Sequence, residues 1–295
     1  MQRIIIAGCG FVGLATARLF QSAGWSVLGL THSQESADSL KDESFPVVPC
    51  DIANLAAVKS IADKFGGKPD AILHCASSGR GGADAYRSVY LGGARNLLDA
   101  LAPRRLLFTS STSVYAQTDG GWVDEESPAE PSRDTGRILR ETEELVLAQG
   151  GIVARLAGIY GPNRSVLLRK FFAGEAAIEG DGQRYVNQIH RDDIASALQL
   201  LIGRDAPGVC NVCDNQPTTQ REIYEWLAGR FARPRPPAGP IDPNRKRGLS
   251  NKRVSNARLR ALGWTPRFPN FFDAVENDPL LEIMARTPLK QPTTQ

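Results

Sequence analysis

Glycines, hydroxyls and guanidinium groups carry the chemistry this sequence offers. Residues Arg3-Ile4-Ile5-Ile6-Ala7-Gly8-Cys9-Gly10-Phe11-Val12-Gly13 form an apolar run that breaks into G-x-G-x-x-G and continues from Leu14 as a helical pattern. Strand, tight turn and helix in that order suit a dinucleotide. Gly8 permits the turn, Gly10 removes the side chain that would keep a pyrophosphate off the backbone, and Gly13 lets the helix close on the strand. The first-turn amides, including those of Phe11 and Val12, then face the anion.

Other candidate positions fall at the ends of later apolar runs. The second run, Ser26 to Leu30, ends in Thr31-His32-Ser33, where an NAD-preferring fold carries a carboxylate for the ribose hydroxyls. Two hydroxyls and an imidazole tolerate a 2′-phosphate, so the cofactor expectation is NAD(P) with a lean to NADP(H); the alternative is plain turn chemistry. The third run, Phe45 to Cys50, leads into Asp51-Ile52, placed to meet an adenine edge. The fourth, Ala71 to His74, opens into Cys75-Ala76-Ser77-Ser78-Gly79-Arg80, small residues that let a cofactor approach. Arg80 could reach an anionic substrate group or simply be a solvated loop charge.

Between these runs lie helical segments near Leu55 to Phe65 and Ala83 to Ala102, a βαβ rhythm that predicts an α/β fold with a doubly wound parallel sheet and ligands at the strand C-terminal ends. With 295 residues, 42% of them hydrophobic, and 35 basic against 32 acidic side chains, the chain has ample material for a core and a net charge of only +3. That surplus is too small to imply nucleic acid or an anionic membrane as partner, and the excess concentrates in Arg230 to Arg253. No run approaches the ~20 apolar residues of a membrane span. With no leader pattern either, the expected location is cytoplasmic. The five cysteines sit in apolar, strand-like surroundings and read as small buried hydrophobes; Cys210-x-x-Cys213 lies in a strand pattern that points the two side chains to opposite faces, and no metal site is expected.

The fifth run, Arg105 to Phe108, leads to Thr109-Ser110-Ser111-Thr112-Ser113-Val114-Tyr115, followed by Asp124-Glu125-Glu126-Ser127-Pro128 and Pro131. Further on come Arg155-Leu156-Ala157-Gly158-Ile159-Tyr160-Gly161-Pro162-Asn163-Arg164, Ile189-His190-Arg191-Asp192-Asp193-Ile194 and Leu262-Gly263-Trp264-Thr265-Pro266. By these motifs the chain resembles the extended short-chain dehydrogenase/reductases of the NAD-dependent epimerase/dehydratase family, and within it the atypical YeeZ-like branch. The resemblance implies a Rossmann-type domain over 1–160 plus 189–213 and a smaller C-terminal substrate lobe over 161–188 plus 214–295, disordered from about 286. The cleft between them would take a small molecule such as a sugar nucleotide, with Arg80, Arg164 and Arg191 as candidate substrate-binding residues. Ser111 matches the family's hydrogen-bonding serine.

The departures bear on the chemistry. The family's Tyr-x-x-x-Lys proton-transfer pair falls on Thr135 and Leu139, and its asparagine falls on Tyr90. Tyr115, Tyr90 and Tyr160 are the phenols that could substitute, each with a packing role as the alternative. The expectation is an NAD(P)-binding protein with atypical or absent epimerase, dehydratase or oxidoreductase chemistry; the competing reading is a non-catalytic sensor of the NADP(H) pool. Family members often dimerise through the helices that here are about Ala83 to Ala102 and Thr135 to Ala148. The second is highly charged, so a monomer or weak homodimer is expected.

Overall fold

A computed structural model describes residues 1–79, 81–204, 208–241 and 249–281. Arg80, the basic cluster Arg245 to Arg247 and the chain from 282 onward lie outside the described residues. Seven parallel strands form the central sheet, in the spatial order Val209–Val212, Ile152–Leu156, Leu106–Ser111, Ala71–His74, Arg3–Ala7, Ser26–Thr31 and Val47–Pro49. Near-continuous apolar runs suit strands covered on both faces, and Ile4, Ile5, Ile6, Ile72 and Leu73 are fully buried. The edge strand is shorter than the apolar run 45–50 predicts. Pro46 and Pro49 bound it, and a residue without an amide proton is tolerated only at such an edge. The fifth strand runs longer than expected, so that Ser111 is its last residue.

Helices cover both faces. Phe11–Ser22 packs against Arg191–Gly203, a contact fastened by the Gln199 side-chain amide donating to Leu19 O at 3.1 Å. The segment expected as one helix over 83–102 is α-helical at Ala83–Tyr86 and Gly93–Leu101 with a π-helical stretch, Arg87–Gly92, between them. It lies against Asp134–Ala148, and Arg87 donates to both carboxylate oxygens of Glu141.

Two apolar clusters result. One fills the space around the sheet and includes Val254, Leu259 and Trp264 from late in the chain. Trp264 is tied down by its indole N–H donating to Ser196 Oγ at 3.0 Å. The second gathers Tyr160, Leu168, Phe171, Ile223, Tyr224, Leu227, Phe268 and Phe271.

The strand order reverses between Arg3–Ala7 and Ala71–His74, where the loops that follow the two strands meet at the crevice used by ligands in open parallel sheets. Gly8 has φ +100°, and a Cβ there would lie 2.3 Å from the Ala76 amide nitrogen. A Cβ on Gly13 would lie 2.1 Å from Gly8 O. These two glycines are therefore packing requirements of the switch point itself. Gly10 differs: its φ is −102°, and an added Cβ meets nothing within 4 Å. Gly8→Ala should lower the thermal unfolding midpoint by several degrees, since left-handed strain alone costs about 1–3 kcal/mol and the clash adds to it. Gly10→Ala should leave the ligand-free midpoint unchanged. Equal midpoints for the two variants in a thermal scan would contradict this reading.

Candidate active site

The phosphate turn enters the first helix with no side chain capping it, so its first-turn amides face the open volume above Gly10. Anion binding at such a terminus needs those donors and that space. Phe11 and Val12 begin the helix, and the half-buried Cys75 and Ala76 form the opposite rim. Cys75 is committed locally, its thiol donating to Gly8 O at 3.2 Å and its pKa raised by burial.

At the second strand's end the three polar residues are not equivalent. Thr31 is buried and donates to Ser33 O, while Ser33 caps the helix Gln34–Asp38 by accepting from the Ser36 amide. Both hydroxyls are thus engaged in the turn. His32 projects into solvent with Nδ1 3.7 Å from Asp51 Oδ1, and Asp51 also accepts from the Ala53 amide. Ile52 is buried against the helix Gly93–Leu101, its carbonyl accepting from Asn96.

Ser111 opens onto a cleft of about 530 Å³. Its walls include Ser113, Lys170, Arg184, Tyr185, Gln188 and Lys252. Arg184 stands out: burial pulls its pKa down, its Nε is buried without a partner, and no carboxylate pairs with it among the described residues. Lys252 is 6% exposed and donates to Ser250 Oγ at 2.8 Å. Arg164 and Arg191, expected in this cleft, do not line it; both guanidinium groups lie against the Phe11 ring.

Tyr115 is fully buried, and its hydroxyl faces inward rather than toward the cleft. It donates to Asn211 Oδ1 and accepts from Arg155 Nη1, each at 2.9 Å, and burial pushes its pKa up. Arg155 in turn makes a two-armed pair with Glu143, at 3.1 and 2.7 Å, and Ser110 donates to the same carboxylate at 2.5 Å. Arg140 pairs with Glu143 and Glu144. Thr135 is half-buried and lines a pocket of about 150 Å³ with Ser113, Arg133 and Gly136, while Leu139 faces the core. Tyr90 packs edge-on against Tyr86, and Tyr160 sits between His190 and Phe271 with its hydroxyl buried and unpartnered.

The histidine and aspartates of the Ile189 to Ile194 motif hold the chain's later segments. His190 Nε2 donates to Asp278 at 3.0 Å while its Nδ1 accepts from the Asp192 amide at 3.2 Å, which sets the tautomer. Asp193 accepts from the amides of Arg267 and Phe268, and burial raises its pKa to about 6.

The epimerase model of the "NAD dependent epimerase/dehydratase family" matches residues 4–213. The chain belongs to that family. Protein YeeZ of Escherichia coli K12 is 29% identical over 288 residues, covering 92% of this chain and 97% of YeeZ. A Methylobacillus flagellatus structure, provisionally assigned as an NAD-dependent epimerase/dehydratase, is 30% identical with a TM-score of 0.78, covering 97% of this chain and 99% of that one. The Thermus thermophilus UDP-glucose 4-epimerase complex with NAD shares the fold at a TM-score of 0.80 and 20% identity, over 96% of this chain and 99% of that one.

In this epimerase/dehydratase-family chain the five cysteines are free, and burial pushes the Cys9 and Cys210 thiols up to about 12. Among the described residues no helix is long and apolar enough to cross a membrane. His74, which sequence reasoning passed over, ends the fourth strand beneath the π-helical segment. Its Nε2 donates to Tyr90 O at 3.3 Å, its Nδ1 is buried without a partner, and burial lowers its pKa from 6.5 to about 4. The unfolded chain takes up this proton first, so the stability present above pH 6.5 is lost as pH falls toward 4. The loss is on the order of 3 kcal/mol. His74→Phe should shrink the drop in unfolding free energy between about pH 7 and about pH 4 by that order, read from denaturant titrations. An unchanged drop would contradict the assignment.

Proposed function

We propose that this protein binds NAD(P)(H) in the Gly8–Gly13 crevice, takes an anionic small molecule of the sugar-nucleotide class in the cleft beside Ser111, and does not run the family's proton-coupled hydride transfer. The cofactor reading is supported by the uncapped helix terminus and by the open volume over Gly10. The ligand's negative charge is supported by Arg184, a guanidinium held in the cleft wall with an unused donor and, among the described residues, no carboxylate in a salt bridge with it. Such a group stays there at a cost unless an anion joins it.

The chemical reading is carried by one observation, the pair Thr135 and Leu139. Oxidation of an alcohol needs a base for the hydroxyl proton as hydride leaves, and a phenol whose pKa of ~10 is lowered by a neighbouring ammonium meets that need near neutrality. Thr135 is too weak an acid, Leu139 is apolar, and Arg140 is engaged with two glutamates. Tyr115 does not replace them, because its hydroxyl is locked between Asn211 and Arg155 and its pKa is raised. Ser111 can orient a carbonyl without supplying a proton. The chemistry is therefore atypical or absent, in a monomer or weak homodimer.

The preferred cofactor is NADP(H), through one residue. No carboxylate stands at 31–33, and with the hydroxyls of Thr31 and Ser33 engaged, the exposed His32, 3.7 Å from Asp51, is the group there to meet a 2′-phosphate. One set of measurements on purified protein tests the proposal: calorimetric titration with NADPH and NADH, then turnover of UDP- and dTDP-sugars with each. NADPH should bind at least as tightly as NADH, His32→Asp should move the preference to NADH, and no turnover should appear. A wild-type preference for NADH, or robust epimerase or reductase turnover, would refute the corresponding half.

A further inference from the structure

Two arginines outside the cleft converge on the phosphate turn. Arg164 is presented by a tight turn in which Gly161 and Arg164 exchange backbone hydrogen bonds, each of 2.9 Å. Its guanidinium carbon lies 4.9 Å from the centroid of the Phe11 ring. Arg191, the first residue of the helix that packs against Phe11–Ser22, places its own 5.2 Å from the same centroid. Gly161 makes the convergence possible: it has φ +153°, and a Cβ there would lie 2.9 Å from Arg191 Cβ. Asp192 neutralises part of Arg191 at 2.8 Å, whereas Arg164 has no carboxylate partner among the described residues. Two like charges are thus gathered on one ring, next to the glycine whose side-chain direction is open.

We infer that Arg164 and Arg191 form a cationic clamp on the diphosphate of the bound dinucleotide and are not substrate residues; this rests on the reading of the Gly8–Gly13 crevice as the NAD(P) site. The mutual repulsion of the two guanidinium groups is relieved when a doubly charged diphosphate lies between them and the turn. Guanidinium forks pair with phosphate oxygens through two donors at once, and the Phe11 face holds each fork in place by cation–π attraction. The turn then supplies backbone donors on one side of the anion and the arginines supply charge on the other. The substrate's anionic group falls to Arg184, which lines the separate cleft.

Calorimetric titration of the full chain tests this with NADH, ADP-ribose, which keeps the diphosphate but lacks nicotinamide, and UDP-glucose. Arg164→Gln should raise the Kd for NADH and for ADP-ribose about tenfold, and Arg164→Gln with Arg191→Gln about a hundredfold. UDP-glucose affinity should stay at the wild-type value. Arg164→Lys should restore part of the loss, separating charge from ring packing. Arg164 is exposed, so the single variant keeps its fold, which an unchanged ligand-free melting midpoint verifies. Unaltered NADH and ADP-ribose binding in Arg164→Gln, or weakened UDP-glucose binding instead, overturns the clamp while leaving the cofactor site standing. Wild-type protein that binds neither NADH nor ADP-ribose overturns both.

Discussion

The buried pair between Arg155 and Glu143 joins a strand of the central sheet to the helix that covers it. Arg155 lies on the strand Ile152–Leu156 and Glu143 on the helix Asp134–Ala148, with 3% and 0% of their side chains exposed. Ser110 ties the fifth strand to the same carboxylate, and Tyr115 carries the network on to Asn211 in the sheet's edge strand. Ser110, the chain neighbour of Ser111, is therefore held by the same buried charges. A pair of this kind contributes little to stability when intact, but removing one member leaves a buried charge that costs about 3–5 kcal/mol. Its value here is positional, because it fixes the register between the serine-bearing strand and the helix that faces it.

The same network fixes the direction of the Tyr115 hydroxyl. A phenol that both donates to Asn211 and accepts from Arg155 cannot turn to the cleft without leaving a buried amide and a buried guanidinium short of partners. Beside this network, among the described residues, two places are proposed for negative charge. The first is the glycine turn with Phe11, Arg164 and Arg191; the second is the cleft wall with Arg184 and Lys252. Ser111 opens onto the second.

Short-range features were legible in the sequence. The G-x-G-x-x-G turn depends on residues within one strand, turn and helix, and the requirement at Gly8 and Gly13 is a backbone contact that no other residue type meets. Ser111 was legible by motif, and the helices at 55–65 and 134–148 by periodicity. Arg184 and Lys252 were missed because they reach one cleft through segments 68 residues apart, the later of them paired to Asn187 through its Lys252 carbonyl at 2.9 Å. Arg164 and Arg191 were expected at the substrate cleft, and the structure places both guanidinium groups against the Phe11 ring. Spacing alone does not tell which face of the Gly161 turn meets Phe11. The π-helical stretch and the partnerless His74 Nδ1 beneath it have no local signature, since both arise from how the 87–92 segment settles on the strand below.

The central claim is that the Arg184 guanidinium, which has no salt bridge among the described residues, is an anion site. Titration of UDP into wild-type protein and Arg184→Gln, followed by calorimetry at low and at moderate salt, measures this most directly. An anion site at Arg184 predicts saturable wild-type binding that weakens with salt and is about tenfold to a hundredfold poorer in the variant, the range for losing one charged hydrogen-bonding group. Equal affinities for the two proteins, or no saturable binding by wild type, would contradict it.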